Sequence, residues 1–301
     1  MKEVIASPST RIHALRRGVD IEALAVRLGR TTITRDDIDH SLQPGAAVPN
    51  GSTPPTDSGM SKYWDVDHAA YGAVRVEPLS RFDRVAASNL AAAHATIPAV
   101  THHDRADLTE IEAFRASLRQ DALAAGVKLT TLSFHVKALA RTLRAFPRFN
   151  ASLTPDGENL VIKDYVHIGI AVDTPMGLAV PVIRNADQLG LFAISRAITD
   201  LACLAHARKL RPDAMGGASM TITNLGGIGG TAFTPIVNPP EVAILGITRT
   251  EITPVWDGAT FCPRPMVPLD LTYDHRVING ASAAKFLSHY VSLLTDPRLL
   301  A

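Results

Sequence analysis

Near the C-terminal end of the chain, a histidine stands in a run of residues suited to acid–base chemistry. The run is Asp-His-Arg-Val-Ile-Asn-Gly over residues 274–280, with the histidine at His275. An imidazole has an unperturbed pKa of about 6.5 and can therefore accept and return a proton near neutral pH. The alternative is a core histidine bonded to a backbone carbonyl, and seven residues alone do not distinguish a catalytic base from such a residue.

The elements on either side of His275 would hold it firmly in place. Before it, apolar residues recur at every second position of 266–274, which predicts a half-buried strand with His275 on the inward parity. After it, apolar residues recur at three- and four-residue spacing from Gly280 to about Leu294, which predicts an amphipathic helix. Asn279 is suited to be the N-cap of that helix.

Composition limits the kinds of partner and compartment. The 301 residues are 46% hydrophobic and 20% charged, which is ordinary for a soluble globular protein of one or two domains. The net charge of +1, without long basic blocks, gives no reason to expect a nucleic acid or an anionic membrane as partner. Cys203 and Cys262 form neither a disulfide framework nor a metal-binding pattern. Without a signal peptide or a transmembrane stretch in the sequence, we expect a cytoplasmic protein that binds no metal.

The chain divides into a small helical region, a linker and a large domain. Residues 5–42 carry two helix signals, one at Ser7 and Pro8 and one at Thr34. Residues 43–65 are rich in Pro, Gly and Ser and predict a flexible linker to a large domain over residues 66–301. About forty residues barely support a core, so the small region is expected to be a docking module. The alternative is a helical extension of the large domain.

The large domain is predicted to be of the α/β (α+β) class. Helices are expected from Asp107 to Gly126, from Thr130 or Thr131 to a point before Pro147, and from Leu191 to Ala205. Strands are expected at Ser219–Thr223 and Glu241–Thr248, and a hairpin at Tyr165–Val172 and Leu178–Ile183. These elements imply a mixed sheet with flanking helices.

A glycine-rich run, Gly227–Ala232, matches the G-x-G-x-x-A pattern of dinucleotide-binding proteins. That pattern works only when a helix follows, because the helix N-terminus receives the pyrophosphate. Pro235, Pro239 and Pro240 prevent a helix there. Nucleotide binding is therefore disfavoured, and the glycines are expected to let the backbone pass close to another chain or ligand.

Six motifs occur in order along residues 66–301: AVTHHDRADLTEIEAFR, PRFNASL, IGIAVDTPMGLAVPVI, SMTITNLGGIGGTAFTPIVNPPEVAILG, PVWDG and DHRVING. Through them this region resembles the catalytic domain of dihydrolipoyl acyltransferases, the core components of 2-oxoacid dehydrogenase complexes, and most of all the pyruvate type. Residues 5–42 resemble the peripheral subunit-binding domain of the same proteins through ASPSTR, GVDIEAL and ITRDDI. The loop expected at Ala25–Thr32 keeps the length usual in that domain but has one glycine where several are usual.

The resemblance implies a chloramphenicol-acetyltransferase-like fold and a homotrimer with active sites between subunits, which can assemble further into a cage. It implies transfer of an acetyl or other acyl group between dihydrolipoamide and coenzyme A. It also implies that residues 5–42 bind the pyruvate decarboxylase component or dihydrolipoamide dehydrogenase. The sequence contains no Asp-Lys-Ala lipoylation site. We therefore expect the lipoyl group on a carrier domain supplied in trans, or on a domain missing from a shortened chain.

The resemblance also assigns roles to individual residues. It places the general base at His275 and the oxyanion-stabilising hydroxyl at Thr223, where the family usually has serine. Asn279 stands where most of the family has aspartate; it can orient an imidazole but cannot offset its charge. Contacts with coenzyme A would fall on the following residues: Arg115, Thr130, Asp173, Thr223, Asn224 and Gly246. The alternatives are a solvated helix charge for Arg115 and a simple strand residue for Thr223.

Two other functions stay open at this point. A non-catalytic scaffold or docking subunit of the same complex is suggested by Asn279 and by the missing lipoyl domain. An antibiotic acetyltransferase with the same fold is a further alternative, because a fold alone does not fix function. The docking module and the TITNLG and PPEVAILG runs argue against the antibiotic enzyme.

Overall fold

The computed structural model describes residues 4, 6–28, 31–41, 66–175 and 177–300. The chain separates into two compact units, Met1–Val76 and Glu77–Ala301, which are treated one at a time below. The predicted linker at residues 43–65 lies outside the described residues. Within the described ranges, no helix is long and apolar enough to cross a membrane, and no cluster of three His, Cys, Asp or Glu side chains is arranged to hold a metal ion.

The small unit contains three short α-helices in its described part, and a 3-10 helix at His68–Tyr71. The α-helices are α1 (Pro8–Arg17), α2 (Ile21–Leu28) and α3 (Arg35–Ser41). As predicted, the Ser7 side chain caps α1 by accepting the Thr10 N–H. Gly18 ends that helix in the left-handed conformation with φ 67°. The helices enclose a small apolar core. Its members are Ala14, Ile21, Leu24, Ala25, Ile33 and Ile38.

Helix α2 was not predicted, and the loop expected at Ala25–Thr32 was placed wrongly because its first four residues belong to α2. The helix forms because Leu24 and Ala25 bury their side chains in the core of the small unit. A start signal was present at Asp20, whose Oδ1 accepts the N–H groups of Glu22 and Ala23. An aspartate followed by an apolar-periodic segment was thus sufficient to predict the helix.

The large unit is built on a mixed β-sheet, which confirms the predicted α/β class. Its helices are α4 (Arg81–Thr96), α5 (Thr109–Ser117), α6 (Arg119–Ala124), α7 (Thr131–Ala145), α8 (Leu191–His206) and α9 (Gly280–Thr295). Its strands are β1 (Ala99–Asp107), β2 (Ala151–Leu153), β3 (Leu160–Ile162), β4 (Ile168–Ile170), β5 (Val172–Thr174), β6 (Gly177–Ala179), β7 (Val182–Ile183), β8 (Met220–Asn224), β9 (Ala243–Ile247), β10 (Glu251–Trp256) and β11 (Phe261–Asp274).

In the described part of the chain, the main sheet has seven strands in the order β1-β11-β9-β8-β4-β7, and β10 pairs with β11 as well. The pairs β4–β8 and β8–β9 are parallel and the remaining pairs are antiparallel. The predicted hairpin is confirmed, with shorter strands: β5 pairs with β6, and β4 pairs with β7. No helix occurs between β8 and β9, as the prolines predicted.

The core lies between the sheet and helices α5, α7, α8 and α9. Leu269, Leu271 and Tyr273 of β11 point into it together with Leu245 of β9. The opposite face of the sheet is covered near Ile244, which packs against Ala93, Ile97 and Val237. The strand predicted at 266–274 is confirmed as part of β11, but its predicted half-burial was wrong, because residues 269–274 are buried on both faces.

Helix α4 and strand β1 were missed in the sequence, and the helix expected from Asp107 begins two residues later. Residue Ala93 is buried on α4, and β1 is polar and largely exposed, so apolar periodicity is weak in both. Strand β1 forms because all nine of its residues pair with β11. Asp107 ends this strand, and its Oδ1 accepts the Thr109 N–H at 2.8 Å just before α5, whose N-cap position is Leu108. The predicted helix is divided into α5 and α6 at Leu118.

Candidate active site

His275 lies in the short turn between β11 and α9, and backbone hydrogen bonds fix that turn. The His275 N–H donates to the Pro98 carbonyl at 3.1 Å. Asp274 is buried, and its Oδ1 accepts the Arg276 N–H at 3.0 Å. The Arg276 guanidinium forms an ion pair with the other carboxylate oxygen of Asp274 at 2.6 Å. The backbone on both sides of His275 is thus held in place.

The His275 side chain is exposed, so the predicted inward orientation was wrong. The alternation of β11 ends at Asp274 because the chain turns there toward α9. The imidazole stacks obliquely near the buried Tyr273 ring, with centroids 5.9 Å apart, and burial raises the pKa of the Tyr273 hydroxyl. The imidazole makes no hydrogen bond to any residue that the structure describes. Both ring nitrogens are therefore available to a ligand.

A pocket of about 310 Å³ surrounds this turn. It is lined by Arg148, Phe149, His275, Arg276, Val277, Ile278, Asn279 and Ser282. Arg148 donates to the Val277 carbonyl at 3.0 Å, which ties the segment after α7 to the turn. The pocket places an exposed imidazole beside two guanidinium groups in a site large enough for part of a small molecule.

Asn279 caps α9, as one interpretation of the sequence predicted. Its side-chain oxygen accepts the Ser282 N–H at 2.9 Å. An N-cap satisfies a backbone donor that the helix itself leaves unpaired. This bond holds the start of α9, and with it the turn that carries His275. Among the described residues no hydrogen bond joins Asn279 to the imidazole, and an orienting role for Asn279 stays a prediction.

Thr223 lies on β8, one residue before the strand ends, and is half-buried. Within the described residues its hydroxyl makes no hydrogen bond, so it is free to donate to a ligand. The next residue, Asn224, accepts the Gly226 N–H on its side-chain oxygen at 2.8 Å and so starts the glycine-rich segment. Thr223 therefore presents an unengaged hydroxyl next to a fixed turn.

Within one chain, the structure does not bring Thr223 and His275 together. Thr223 pairs with Gly246, Gly246 pairs with Asp270, and His275 follows five residues after Asp270. At about 4.8 Å between strands and about 3.4 Å per residue, the two side chains are on the order of 15–20 Å apart. A hydroxyl and an imidazole at that separation cannot act on the same atoms.

Two of the residues predicted to contact coenzyme A share a pocket. Asp173 and Asn224 line a cavity of about 250 Å³ whose other walls are mainly apolar. The other residues that line this cavity are Leu132, Ile170, Ala171, Val172, Pro181, Ile198, Leu201, Ala202 and His206. Apolar walls with a few polar groups are typical of small-molecule sites.

Besides Thr223, three further predicted contacts lie outside this pocket, elsewhere in the large unit. Arg115 is paired with Glu112 on the same helix at 2.5 Å, and Glu112 also accepts the Thr131 hydroxyl at 2.9 Å. Thr130 precedes α7 and forms no side-chain cap bond. Gly246 is buried: a Cβ there would lie 2.8 Å from two carbons of the Phe233 ring. The coenzyme A role of these residues stays a prediction.

A buried carboxylate near Thr223 was missed in the sequence. Glu241 is 5% exposed and its Oε1 accepts from the Thr221 hydroxyl at 2.9 Å and from the Asn238 amide at 3.3 Å. Burial raises the pKa of Glu241 to about 7, and burial lowers the pKa of the nearby Lys163 ammonium. Glu241 follows two prolines and precedes an apolar strand, and this pattern alone does not indicate where its side chain lies.

His135 and Tyr290 form a second buried polar pair, between α7 and α9. Their Nδ1 and hydroxyl oxygen are 2.6 Å apart, and both residues are almost fully buried. Burial lowers the pKa of His135 to about 4, so the imidazole is neutral at physiological pH. This pair is a structural link between two core helices.

Comparison with known proteins decides the family. Residues 71–301 match the family described as 2-oxoacid dehydrogenases acyltransferase (catalytic domain). The chain belongs to this acyltransferase family. The resemblance of the large domain, stated from its six sequence motifs, is thereby confirmed.

Individual relatives agree with this assignment. The dihydrolipoyllysine-residue acetyltransferase component of pyruvate dehydrogenase complex from Azotobacter vinelandii is 45% identical over 99% of this chain, which covers 47% of the relative. A crystal structure of the dihydrolipoamide acetyltransferase from that organism has a TM-score of 0.77 at 49% identity, over 84% of this chain and 99% of the other. The cubic core of a pyruvate dehydrogenase multienzyme complex has a TM-score of 0.77 at 50% identity, with the same coverages. The chain spans about half the length of the first curated relatives it matches.

Proposed function

We propose that this chain is an acyltransferase that moves an acetyl group between dihydrolipoamide and coenzyme A in the core of a pyruvate dehydrogenase complex. The observation that carries the proposal is an exposed imidazole on a fixed turn, together with an unengaged hydroxyl, at positions that match a related enzyme. In the A. vinelandii acetyltransferase, the roles of a serine, a histidine and an asparagine in the catalytic mechanism were investigated, and these residues stand 52 and four positions apart. Thr223, His275 and Asn279 have the same spacings.

His275 would act as the general base. Its free ring nitrogen accepts the proton of the attacking thiol, and the thiolate then forms a bond to the thioester carbonyl carbon. The carbonyl oxygen becomes an oxyanion in this step. When the tetrahedral species collapses, the bond to the other sulfur breaks, and that sulfur takes the proton back from the imidazolium. One thioester and one thiol are consumed and one of each is formed, so no further reactant is needed.

Thr223 would stabilise the oxyanion. Its hydroxyl is free to donate, and one well-placed donor in such a site is worth roughly 3 to 4 kcal/mol of transition-state stabilisation. Threonine supplies the same donor as the serine of the related enzyme, and its additional methyl group restricts the χ1 angle. Asn279 supports the site by capping α9 and so holding the turn of His275.

We infer that the active site forms between subunits of a homotrimer. The sheet register places Thr223 and His275 far apart in one chain, so a second copy must supply one of the two groups. A related structure is the cubic core of a pyruvate dehydrogenase complex, which supports assembly of such trimers into a cage. The glycine-rich backbone after Thr223 permits another chain to approach closely.

The remaining assignments belong to the same proposal. Coenzyme A would be bound by Asp173 and Asn224 in their shared pocket, and by Arg115, Thr130 and Gly246. Residues 5–42 would dock the pyruvate decarboxylase component or dihydrolipoamide dehydrogenase, residues 43–65 would serve as a linker, and residues 66–301 would form the catalytic domain. A lipoylated carrier domain would deliver the acetyl group, and a cytoplasmic location is retained as a prediction.

The proposal is tested by incubating the purified chain with acetyl-coenzyme A and dihydrolipoamide and quantifying free coenzyme A by chromatography. We expect turnover that requires dihydrolipoamide, with chloramphenicol inactive as an alternative acceptor. A folded chain that releases no coenzyme A beyond the protein-free rate would contradict the acyltransferase and favour a scaffold subunit. Release with chloramphenicol alone would favour the antibiotic enzyme.

A further inference from the structure

A polar row crosses four strands of the sheet at the level of Thr223. Thr223 of β8 pairs with Gly246 of β9, Gly246 pairs with Asp270 of β11, and Asp270 pairs with His103 of β1. Residues paired directly across strands point to the same face of a sheet. The hydroxyl of Thr223, the carboxylate of Asp270 and the imidazole of His103 therefore lie along one line on one face.

Asp270 uses both of its carboxylate oxygens on this face. It is 1% exposed, and its Oδ1 is bonded to Nδ1 of His103 at 2.6 Å. Its Oδ2 accepts the backbone N–H of Phe233 at 3.2 Å. A buried carboxylate is costly unless it is hydrogen-bonded in this manner. Asp270 thus joins the edge strand β1 to the segment that follows Thr223 in the chain.

The Phe233 ring occupies the gap in the row at Gly246. An added Cβ on Gly246 would be 2.8 Å from two ring carbons and 3.1 Å from the Asp270 Cβ, so only glycine leaves room for the ring. The Phe233 ring therefore lies over Gly246, between Thr223 and Asp270. The segment is also tied to β9, because the Thr248 hydroxyl donates to the Thr231 carbonyl at 3.3 Å.

We propose that Asp270 is a positioning residue for the Thr223 hydroxyl. It holds the Phe233 ring against Gly246, and the ring forms a fixed wall beside Thr223 that limits the directions open to its side chain. This inference rests on the proposed function, in which Thr223 donates to the oxyanion. His103 completes the arrangement by engaging the second carboxylate oxygen, which keeps Asp270 turned toward the Phe233 N–H.

A double-mutant cycle on the assembled protein tests this role. We expect Asp270→Ala to lower kcat roughly tenfold with little change in KM, and to have almost no further effect in a Thr223→Ala background, because both changes remove the same interaction. Asp270→Asn keeps an acceptor for the Phe233 N–H and should retain most of the activity. If the fold-reductions in kcat caused by the two alanine substitutions multiply in the double variant, Asp270 acts independently of Thr223 and the proposal is overturned.

Thr272→Val is the matched control. Thr272 lies on the same strand and face and is fully buried, and its hydroxyl bonds to the Thr101 hydroxyl at 2.8 Å, whereas Asp270 bonds to the Phe233 N–H. Thr272→Val should leave kcat unchanged. If Asp270→Ala does not fold, Phe233→Leu replaces it as the test, because it removes the ring from a half-buried position. The Phe233→Leu protein must show the same kcat loss and the same lack of further effect in the Thr223→Ala background. A Phe233→Leu protein with normal kcat would refute the proposal, whereas an inactive wild-type protein would refute the acyltransferase function itself.

Discussion

At the scale of single residues, the chemistry assigned to His275 depends on how its backbone is held. Asp274 fixes the backbone on one side, the Pro98 carbonyl accepts its N–H, and Asn279 caps the helix that follows. The role of His275 as a candidate base and the Asn279 cap were predicted from the sequence. The exposure of the His275 side chain was not predicted, because the alternation of residues along a strand does not show where the strand ends.

Replacing His275 with alanine should remove most of the transfer activity and leave the fold intact. The imidazole is exposed and makes no hydrogen bond within the described residues, so its loss costs little stability. Loss of a general base typically lowers the rate by roughly 10² to 10⁴. We expect kcat to fall by that factor with an unchanged Tm. His94→Ala, at an exposed position of α4, is the control and should keep full activity. Near-normal turnover of folded His275→Ala would contradict the assignment.

Asn279 should tolerate aspartate and not alanine. Aspartate caps a helix as well as asparagine does, whereas alanine leaves the Ser282 N–H unpaired and costs about 1 kcal/mol. Urea unfolding should therefore show normal stability for Asn279→Asp and a lower free energy of unfolding for Asn279→Ala. Asn279→Asp should also retain activity. A stable but inactive aspartate variant would show that Asn279 contributes more than the cap.

At the scale of elements, the sequence predicted those that contribute a regular apolar face to the core, such as α7, α8 and α9. It failed for α4 and β1, because pairing with β11 and packing against neighbours stabilise them more than their own pattern does. In the candidate site, His275 was predicted from its own sequence run and from motif resemblance, and Thr223 from motif resemblance alone. The contacts of Glu241, Asp270 and Phe233 join residues far apart in sequence, and a one-dimensional pattern does not contain them.

Glu241 should make stability depend on pH. Burial raises its pKa in the folded state to about 7, above the ordinary 4.5, so the folded state holds a proton that the unfolded state has lost between these values. The stabilisation that Glu241 adds to the free energy of unfolding is fully present below pH 4.5 and is lost as pH rises through 7. A shift of this size corresponds to roughly 3 kcal/mol. Glu241→Gln keeps an acceptor for Thr221 and should be more stable than wild type at pH 8, with no gain at pH 4.5.

The pH dependence of the free energy of unfolding must be compared between variants, because His135 changes that dependence in the opposite direction. Burial lowers the pKa of His135 to about 4, so its contribution is lost as pH falls from 6.5 toward 4. Subtracting the unfolding free energies of wild type and Glu241→Gln at each pH removes this common effect. Glu251→Gln, at an exposed carboxylate, is the matched control and should not change the slope. A Glu241→Gln protein with the pH profile of wild type would rule out the buried-carboxylate explanation.

At the scale of the whole molecule, the fold carries the two reactive groups at separate places. Thr223 lies on β8 inside the sheet, and His275 lies beyond the end of β11. Because the fold separates them by on the order of 15–20 Å, the proposed function requires a second copy of the chain to complete the active site. This is the central claim of the proposed function.

Mixing two inactive variants tests that claim most directly. His275→Ala and Thr223→Ala chains are co-expressed in equal amounts, and release of coenzyme A from acetyl-coenzyme A is compared with that of each parent. If sites are shared, random assembly pairs an intact His275 with an intact Thr223 at about a quarter of the interfaces, so activity should rise to about a quarter of the wild-type value. If both residues came from one chain, every site in every mixture would carry one of the two changes, and the mixture would be no more active than its parents.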